Sequence, residues 1–155
     1  MTSPADRRQV ALMVDYLFGK GVSRALPRKG LRLFRSRRSG RVKLIRLDEK
    51  LFATVKPNGT MALSVFGAQT LSRSRRFRDS CVQVSEDAAQ FVFGGRSVFC
   101  KFVTWSGKSV YPKGEVAIVD QNWNVLGVGM AVLNGAHMEQ FKSGTAVKVR
   151  AGKMT

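Results

Sequence analysis

Gly94-Gly95-Arg96-Ser97-Val98-Phe99-Cys100-Lys101-Phe102-Val103, followed by Pro112-Lys113-Gly114-Glu115-Val116-Ala117-Ile118-Val119-Asp120, is the stretch that decides how this chain folds. Ser85 stands ahead of Glu86 and Asp87, acids placed where a helix start favours negative charge, so a short Ser-capped helix is expected to lead into the stretch and stop at Gly94. Apolar segments at 81–84, 97–104, 115–120, 125–133 and 145–150 read as strands, with a short helix at 137–141 between the last two. Several short apolar strands punctuated by Gly and Pro predict a small, mostly β domain that closes into a barrel.

Working outward toward the N-terminus, Ser3, Pro4 and Asp6 open a helix whose Val10, Met13, Val14, Leu17 and Phe18 share one face, with Gly19 and Gly21 ending it. Between 31 and 47 two basic segments flank the polar, Gly-bearing turn 36–40 and predict a hairpin. Alternation along it is clear from Arg41 to Leu44 and fails at Ile45 and Arg46. A second hairpin joins 51–56 to 60–64 through Pro57-Asn58-Gly59, and 65–71 reads as a short helix. Residues 73–78 pack four arginines around Phe77 without apolar periodicity, which makes them the expected boundary between domains 1–78 and 79–155.

Charge divides the chain at the same place. Of 27 Lys plus Arg and 10 Asp plus Glu, residues 1–78 hold 19 basic and 4 acidic side chains, and residues 79–155 hold 8 and 6. A compact domain keeps such one-signed repulsion when a polyanion gains from it, and the first half favours Arg, whose planar fork suits phosphate and stacks on bases. Nucleic acid is therefore the expected partner, ahead of a membrane surface. No apolar run approaches the roughly 20 residues that span a bilayer, and the opening residues lack a secretory layout, so a soluble cytoplasmic protein is expected. Cys81 and Cys100, with no second pair, build neither a zinc site nor a redox motif. They are expected as buried thiols, with a single disulfide as the alternative.

The C-terminal run resembles a PUA domain. The capped helix closing on Gly94-Gly95-Arg96, the two quoted segments, Val125-Leu126-Gly127-Val128-Gly129-Met130-Ala131 and the final Gly144-Thr145-Ala146-Val147-Lys148-Val149-Arg150 match that family in order and spacing, over about half the chain. Residues 51–71, including Leu63, Gly67, Ala68 and Leu71, are similar to the small domain that precedes PUA in archaeal tRNA-guanine transglycosylases. The resemblance implies an α+β protein: a small basic N-terminal domain of helix and hairpins, then a PUA-like pseudobarrel. It also implies recognition of structured RNA, often the acceptor stem and 3′ end of tRNA. A transglycosylase needs a (β/α)₈ barrel of about 250 residues, and the family's catalytic aspartates have no counterparts here.

Candidate RNA contacts follow from both halves. Arg35, Arg37, Arg38, Arg41, Lys43 and Arg46 gather on the first hairpin, and Arg73, Arg75, Arg76 and Arg78 on the boundary segment. In the PUA half, Gly94 and Gly95 either cap the helix or let an RNA backbone approach main-chain N–H groups, with Arg96, Lys101, Lys148 and Arg150 flanking that groove. Phe99, Phe102 and Trp105 read as core, and Trp123 as an exposed turn residue. One histidine, His137, and the adjacent acidic pairs Asp48-Glu49 and Glu86-Asp87 assemble no nucleophile, base and orienting group, and no P-loop or dinucleotide fingerprint occurs. The expected function is a non-enzymatic, cofactor-free RNA-binding module, tRNA favoured and rRNA possible, alone or serving a separate tRNA-modifying enzyme. A ribosome-associated factor is the alternative.

Overall fold

The hydroxyl of Ser3 accepts the Asp6 N–H at 3.1 Å, and from that cap helix α1 (Pro4–Phe18) runs to Gly19. This computed structural model describes residues 3–154; residues 1, 2 and 155, the outer ends of the two expected domains, lie outside the described residues. Val10, Val14 and Phe18 are buried, and Met13 and Leu17 lean on the same core, so the expected stripe is the packing face. A 3₁₀ turn (Val22–Ala25) leads into an antiparallel sheet in chain order: β1 (Leu31–Arg35), β2 (Val42–Leu47), β3 (Lys50–Val55) and β4 (Met61–Leu63).

The alternation that fails at Ile45 and Arg46 has a physical reason. Pairing of β2 with β3 slips by one residue there, Ile45 facing Ala53 and Arg46 facing Leu51, which leaves Phe52 as the extra residue of a bulge. Phe52 and Ala53 consequently both face the core, and Lys43 is bulged in the same way against β1. Helix α2 (Val65–Leu71) is capped by Ser64, whose hydroxyl accepts the Gly67 N–H.

The boundary segment is an ordered 3₁₀ turn (Arg75–Ser80) rather than a bare linker. Phe77 is buried and meets Phe18 edge to face, ring centres 5.6 Å apart. Beyond it come β5 (Cys81–Val84), α3 (Glu86–Phe93), β6 (Val98–Phe99), β7 (Val103–Ser106), β8 (Glu115–Val119), β9 (Val125–Ala131), α4 (Gly135–Gln140) and β10 (Thr145–Gly152).

Residues 97–104 do not form the single strand expected. A 3₁₀ turn (Cys100–Phe102) splits them into β6 and β7. In the six-stranded order β6-β10-β9-β8-β5-β7 these two occupy opposite edges, yet three residues separate them along the chain. The sheet must curl until its edges nearly meet, and the result is the barrel-like form expected of the second half. The α+β architecture, a small N-terminal unit of helix and hairpins ahead of a nearly closed barrel, is as the sequence implied.

Two cores result. Val116 and Ile118 of β8 point into the barrel with Val82, Leu126 and Val147. Ala117 and Val119 point the other way and join α1, α2 and the first sheet in one continuous cluster. β8 is thus apolar on both faces, as its unbroken hydrophobic run implies. Cys81 and Cys100 are buried and free, and burial pushes the Cys81 thiol up to about 12.

Candidate nucleic-acid interface

The first hairpin presents fewer available cations than its sequence suggests. Ser36 holds the turn through its hydroxyl, which accepts the Arg38 and Ser39 N–H groups, and Arg37 and Arg38 project into solvent with no side-chain partner among the described residues. Arg35 instead donates to Asp6 at 2.6 Å, to Gln9 and to the Gly40 carbonyl. That hydrogen bond holds the Asp6 carboxyl below its ordinary range. Arg41 reaches the Val55 carbonyl at 3.2 Å, Arg46 lies over the Phe34 ring at 5.3 Å, and Lys43 is exposed at the bulge.

The boundary arginines separate. Phe77 turns inward, which throws Arg75 and Arg76 outward beside Arg73. Across from them Val22 and Leu26 are buried, so the alternate residues Arg24 and Arg28 face out. Together the five arginines line an open basin of about 650 Å³ that also includes Gly21, Ala25, Leu26, Pro27 and Ser74. Arg24 and Arg28 were absent from the sequence-derived set, although their two-residue offset from buried apolar neighbours was a usable signal. Arg78 departs from the group: its guanidinium stacks over Trp123 at 4.2 Å, and Trp123 meets Trp105 edge to face at 5.3 Å. Trp123, expected exposed, is partly buried and joins the two halves.

In the barrel half, Gly94-Gly95 is a helix cap. The Gly95 N–H bonds to the Val92 carbonyl and the Arg96 N–H to the Phe91 carbonyl, the paired pattern of a Schellman motif, with Gly95 at φ 83° in the left-handed region that glycine tolerates. Gly94 N–H is likewise taken by Gln90. The expected approach of RNA to these main-chain donors is therefore corrected, because α3 already consumes them.

What the cap does is aim a groove of about 260 Å³ between α3 and β6, lined by Phe91, Arg96, Phe99, Lys101 and Phe102 among others. Phe91 and Phe99 are 45% and 49% exposed, unusual for phenyl rings and contrary to the core role expected of Phe99. Arg96 lies 5.9 Å from the Phe91 ring and Lys101 5.0 Å from that of Phe102, so cations and aromatic faces alternate along the groove.

Lys148 and Arg150 do not line this groove. Lys148 is exposed on β10 opposite Met130, whereas Arg150, at a β10 bulge, donates to Glu115 at 2.8 Å and to the Leu63 carbonyl. Glu115 accepts the Leu63 N–H at 3.0 Å, so both backbone groups of that β4 residue are held by the barrel half. Burial pushes the Glu115 carboxyl up, and Arg150 opposes the shift.

Among the described residues no three His, Cys, Asp or Glu side chains gather as a metal site, and no helix is long and apolar enough to cross a membrane. His137 stacks on Phe141 at 5.5 Å, and Glu139 accepts from the Ser106 hydroxyl.

Comparison with known proteins agrees with this layout. Residues 81–153 match the PUA domain, and residues 8–77 match the patch-forming domain C2 of tRNA-guanine transglycosylase. The chain is 36% identical over 147 residues to a tRNA-guanine(15) transglycosylase of Thermococcus onnurineus, covering 94% of this chain and 25% of that protein. It is 31% identical over 152 residues to the one of Methanothermobacter thermautotrophicus, covering 97% and 23%. The chain thus spans about a quarter of the length of these curated relatives. In solved structures, the fold is shared with a hypothetical protein of Pyrococcus horikoshii (TM-score 0.74, 20% identity, 99% of this chain and 93% of that one). A conserved PUA domain protein of Thermoplasma acidophilum shares it as well (TM-score 0.70, 16% identity, 97% and 91%).

Proposed function

Because the chain joins a patch-forming C2 domain of the tRNA-guanine transglycosylase type to a PUA domain, we propose that it binds tRNA or another structured RNA, as a free-standing module or as the accessory of a separate tRNA-modifying enzyme. Residues 1–78 grip phosphate and residues 79–155 select the ligand. In this reading the protein works in the cytoplasm without a cofactor and performs no catalysis of its own.

The observation that carries the reading is the α3–β6 groove. Two half-exposed phenyl rings flanked by Arg96 and Lys101 offer stacking faces and charge to an unpaired nucleotide. Stacking of that kind contributes about 1–3 kcal/mol per base. Arg37, Arg38 and Lys43, exposed on the basic half, add contacts to a phosphate backbone without reading bases, which suits an A-form stem whose major groove admits no side chains. A stem carrying a single-stranded end satisfies both features at once, and the acceptor arm of tRNA has that shape.

A salt-titrated binding assay tests the reading with intact tRNA, tRNA lacking its CCA end and an rRNA stem of equal length. Intact tRNA should bind tightest, with affinity falling steeply, by roughly a thousandfold between 50 and 200 mM salt if six phosphates are contacted. Equal binding of all three would remove the tRNA preference and leave general RNA binding intact, whereas tighter binding of the rRNA stem would favour a ribosomal RNA partner. Absence of binding at low salt would remove RNA recognition altogether, and release of a base from tRNA by the purified protein alone would overturn the non-catalytic assignment.

A further inference from the structure

The basin between the two 3₁₀ turns holds more charge than a solvated surface requires. Arg24, Arg28, Arg73, Arg75 and Arg76 face one concavity, and no acidic side chain lines it among the described residues. Elsewhere in this half Arg35 is paired with Asp6 and Arg32 with Glu49, while Arg37 and Arg38 stand apart on a convex turn. In the basin only Arg76 has an acceptor, the Lys20 carbonyl at 2.9 Å, which fixes its stem beside Gly21. The guanidinium groups of the other four make no hydrogen bond to a described residue, so recruiting them breaks nothing. Ala25, Leu26 and Pro27 share the lining with the arginines, and a concave surface with low-dielectric protein behind it concentrates the field of those charges.

We infer that this basin is a dedicated seat for two or more closely spaced phosphates of an RNA backbone, the anchor of the RNA rather than one more part of a diffuse basic face. The inference rests on the proposed RNA binding and deepens it. A single phosphodiester, with one negative charge, leaves most of the five guanidinium groups uncompensated. Two strands drawn together, or one sharply bent strand, supply adjacent phosphates, and the forked donors of arginine pair with phosphate oxygens two at a time. The convex turn bearing Arg37 and Arg38 lacks such convergence and makes looser, exchangeable contacts.

The test compares two double variants that remove the same charge, R24Q/R28Q in the basin and K142Q/K153Q on exposed lysines outside it. The probe is a fluorescent RNA stem with a single-stranded 3′ end, titrated across salt, with inorganic pyrophosphate as competitor. The basin variant should lose about two in the slope of log affinity against log salt, near 0.9 per phosphate contact, and bind roughly tenfold or more weakly, while the lysine variant keeps the wild-type slope. R24K/R28K, which keeps charge and loses the fork, should retain the slope and bind less tightly than wild type. Identical slopes for the two charge-removing variants would overturn the basin while leaving RNA binding intact. Pyrophosphate bound in the basin with no change in RNA affinity for R24Q/R28Q would assign the site to a free polyphosphate and overturn it too. Failure of the wild-type protein to bind the RNA at low salt would remove both this inference and the reading beneath it.

Discussion

Replacing Arg150 with Met should destabilise the protein in a way that depends on pH, and the size of the effect is bounded by Glu115. The methionine keeps the apolar stem of Arg150 but removes the guanidinium that pairs with Glu115 at 2.8 Å across the two halves. Glu115 has a side chain only 9% exposed, so losing its partner leaves a nearly buried carboxylate. The group escapes by taking up a proton, and that sets the ceiling. Starting from an ordinary value near 4.5, neutralising a carboxyl costs about 3.4 kcal/mol at pH 7 and about 0.7 kcal/mol at pH 5.

Arg150 is 38% exposed, so water already screens part of the pairing, and a loss of about 2 kcal/mol at pH 7 is expected, of which about 1 kcal/mol, the unpaired Leu63 carbonyl, is independent of pH. The sign follows from burial. Glu115 binds protons more readily folded than unfolded, so stability falls as pH rises from about 4.5 through the raised folded value and is level above it. Losing Arg150 raises that folded value further and extends the fall to higher pH. Urea denaturation of wild type and R150M at pH 5, 6 and 7 measures the difference. A deficit that is the same at all three values, or one far above the ceiling, would refute the account of the clip as a buried charge pair. With Glu115→Gln present in both proteins, the deficit caused by R150M should become independent of pH.

Phe99→Ala should weaken binding of RNA with an unpaired 3′ end by about 1–3 kcal/mol and leave a blunt stem unaffected, as read by fluorescence anisotropy. Phe77→Ala opens a cavity against Phe18 beneath the boundary turn and should cost about 3–5 kcal/mol in a urea melt, an effect a mere linker would not show. Arg78→Ala breaks the stack on Trp123 and should lower stability by about 1 kcal/mol while blue- or red-shifting tryptophan emission, with no change in the salt slope for RNA. The Cys81 thiol, pushed up to about 12, should resist iodoacetamide at pH 8 until the protein unfolds, which mass spectrometry of the alkylated peptide reports.

Much of the architecture could be read from the chain because its determinants are local. The cap at Ser3, the turn Pro57-Asn58-Gly59 and the stop at Gly94-Gly95 depend on residues within a few positions of one another, and each stands where the composition placed it. The exceptions mark where local pattern yields to pairing. Residues 97–104 look like one strand, but their halves hydrogen-bond to β10 and β5 at opposite edges of the barrel, and the closing sheet breaks them at Cys100. Phe99 looks like core by composition and becomes a groove wall because the break turns it outward.

Charge shows the same division most sharply. The excess of basic residues in positions 1–78 is a property of composition, and it pointed to a polyanion before any fold was known. Which arginines remain available was decided by partners remote in sequence: Asp6 claims Arg35 from 29 residues away, and Leu63 holds Arg150 from 87. Arg24 and Arg28, unremarkable along the chain, face Arg73, Arg75 and Arg76 only after Phe77 packs on Phe18. Sequence counts charges; the tertiary structure determines which of them are neutralised at home, because Coulomb energy and hydrogen bonding depend on distances that only the packed core sets.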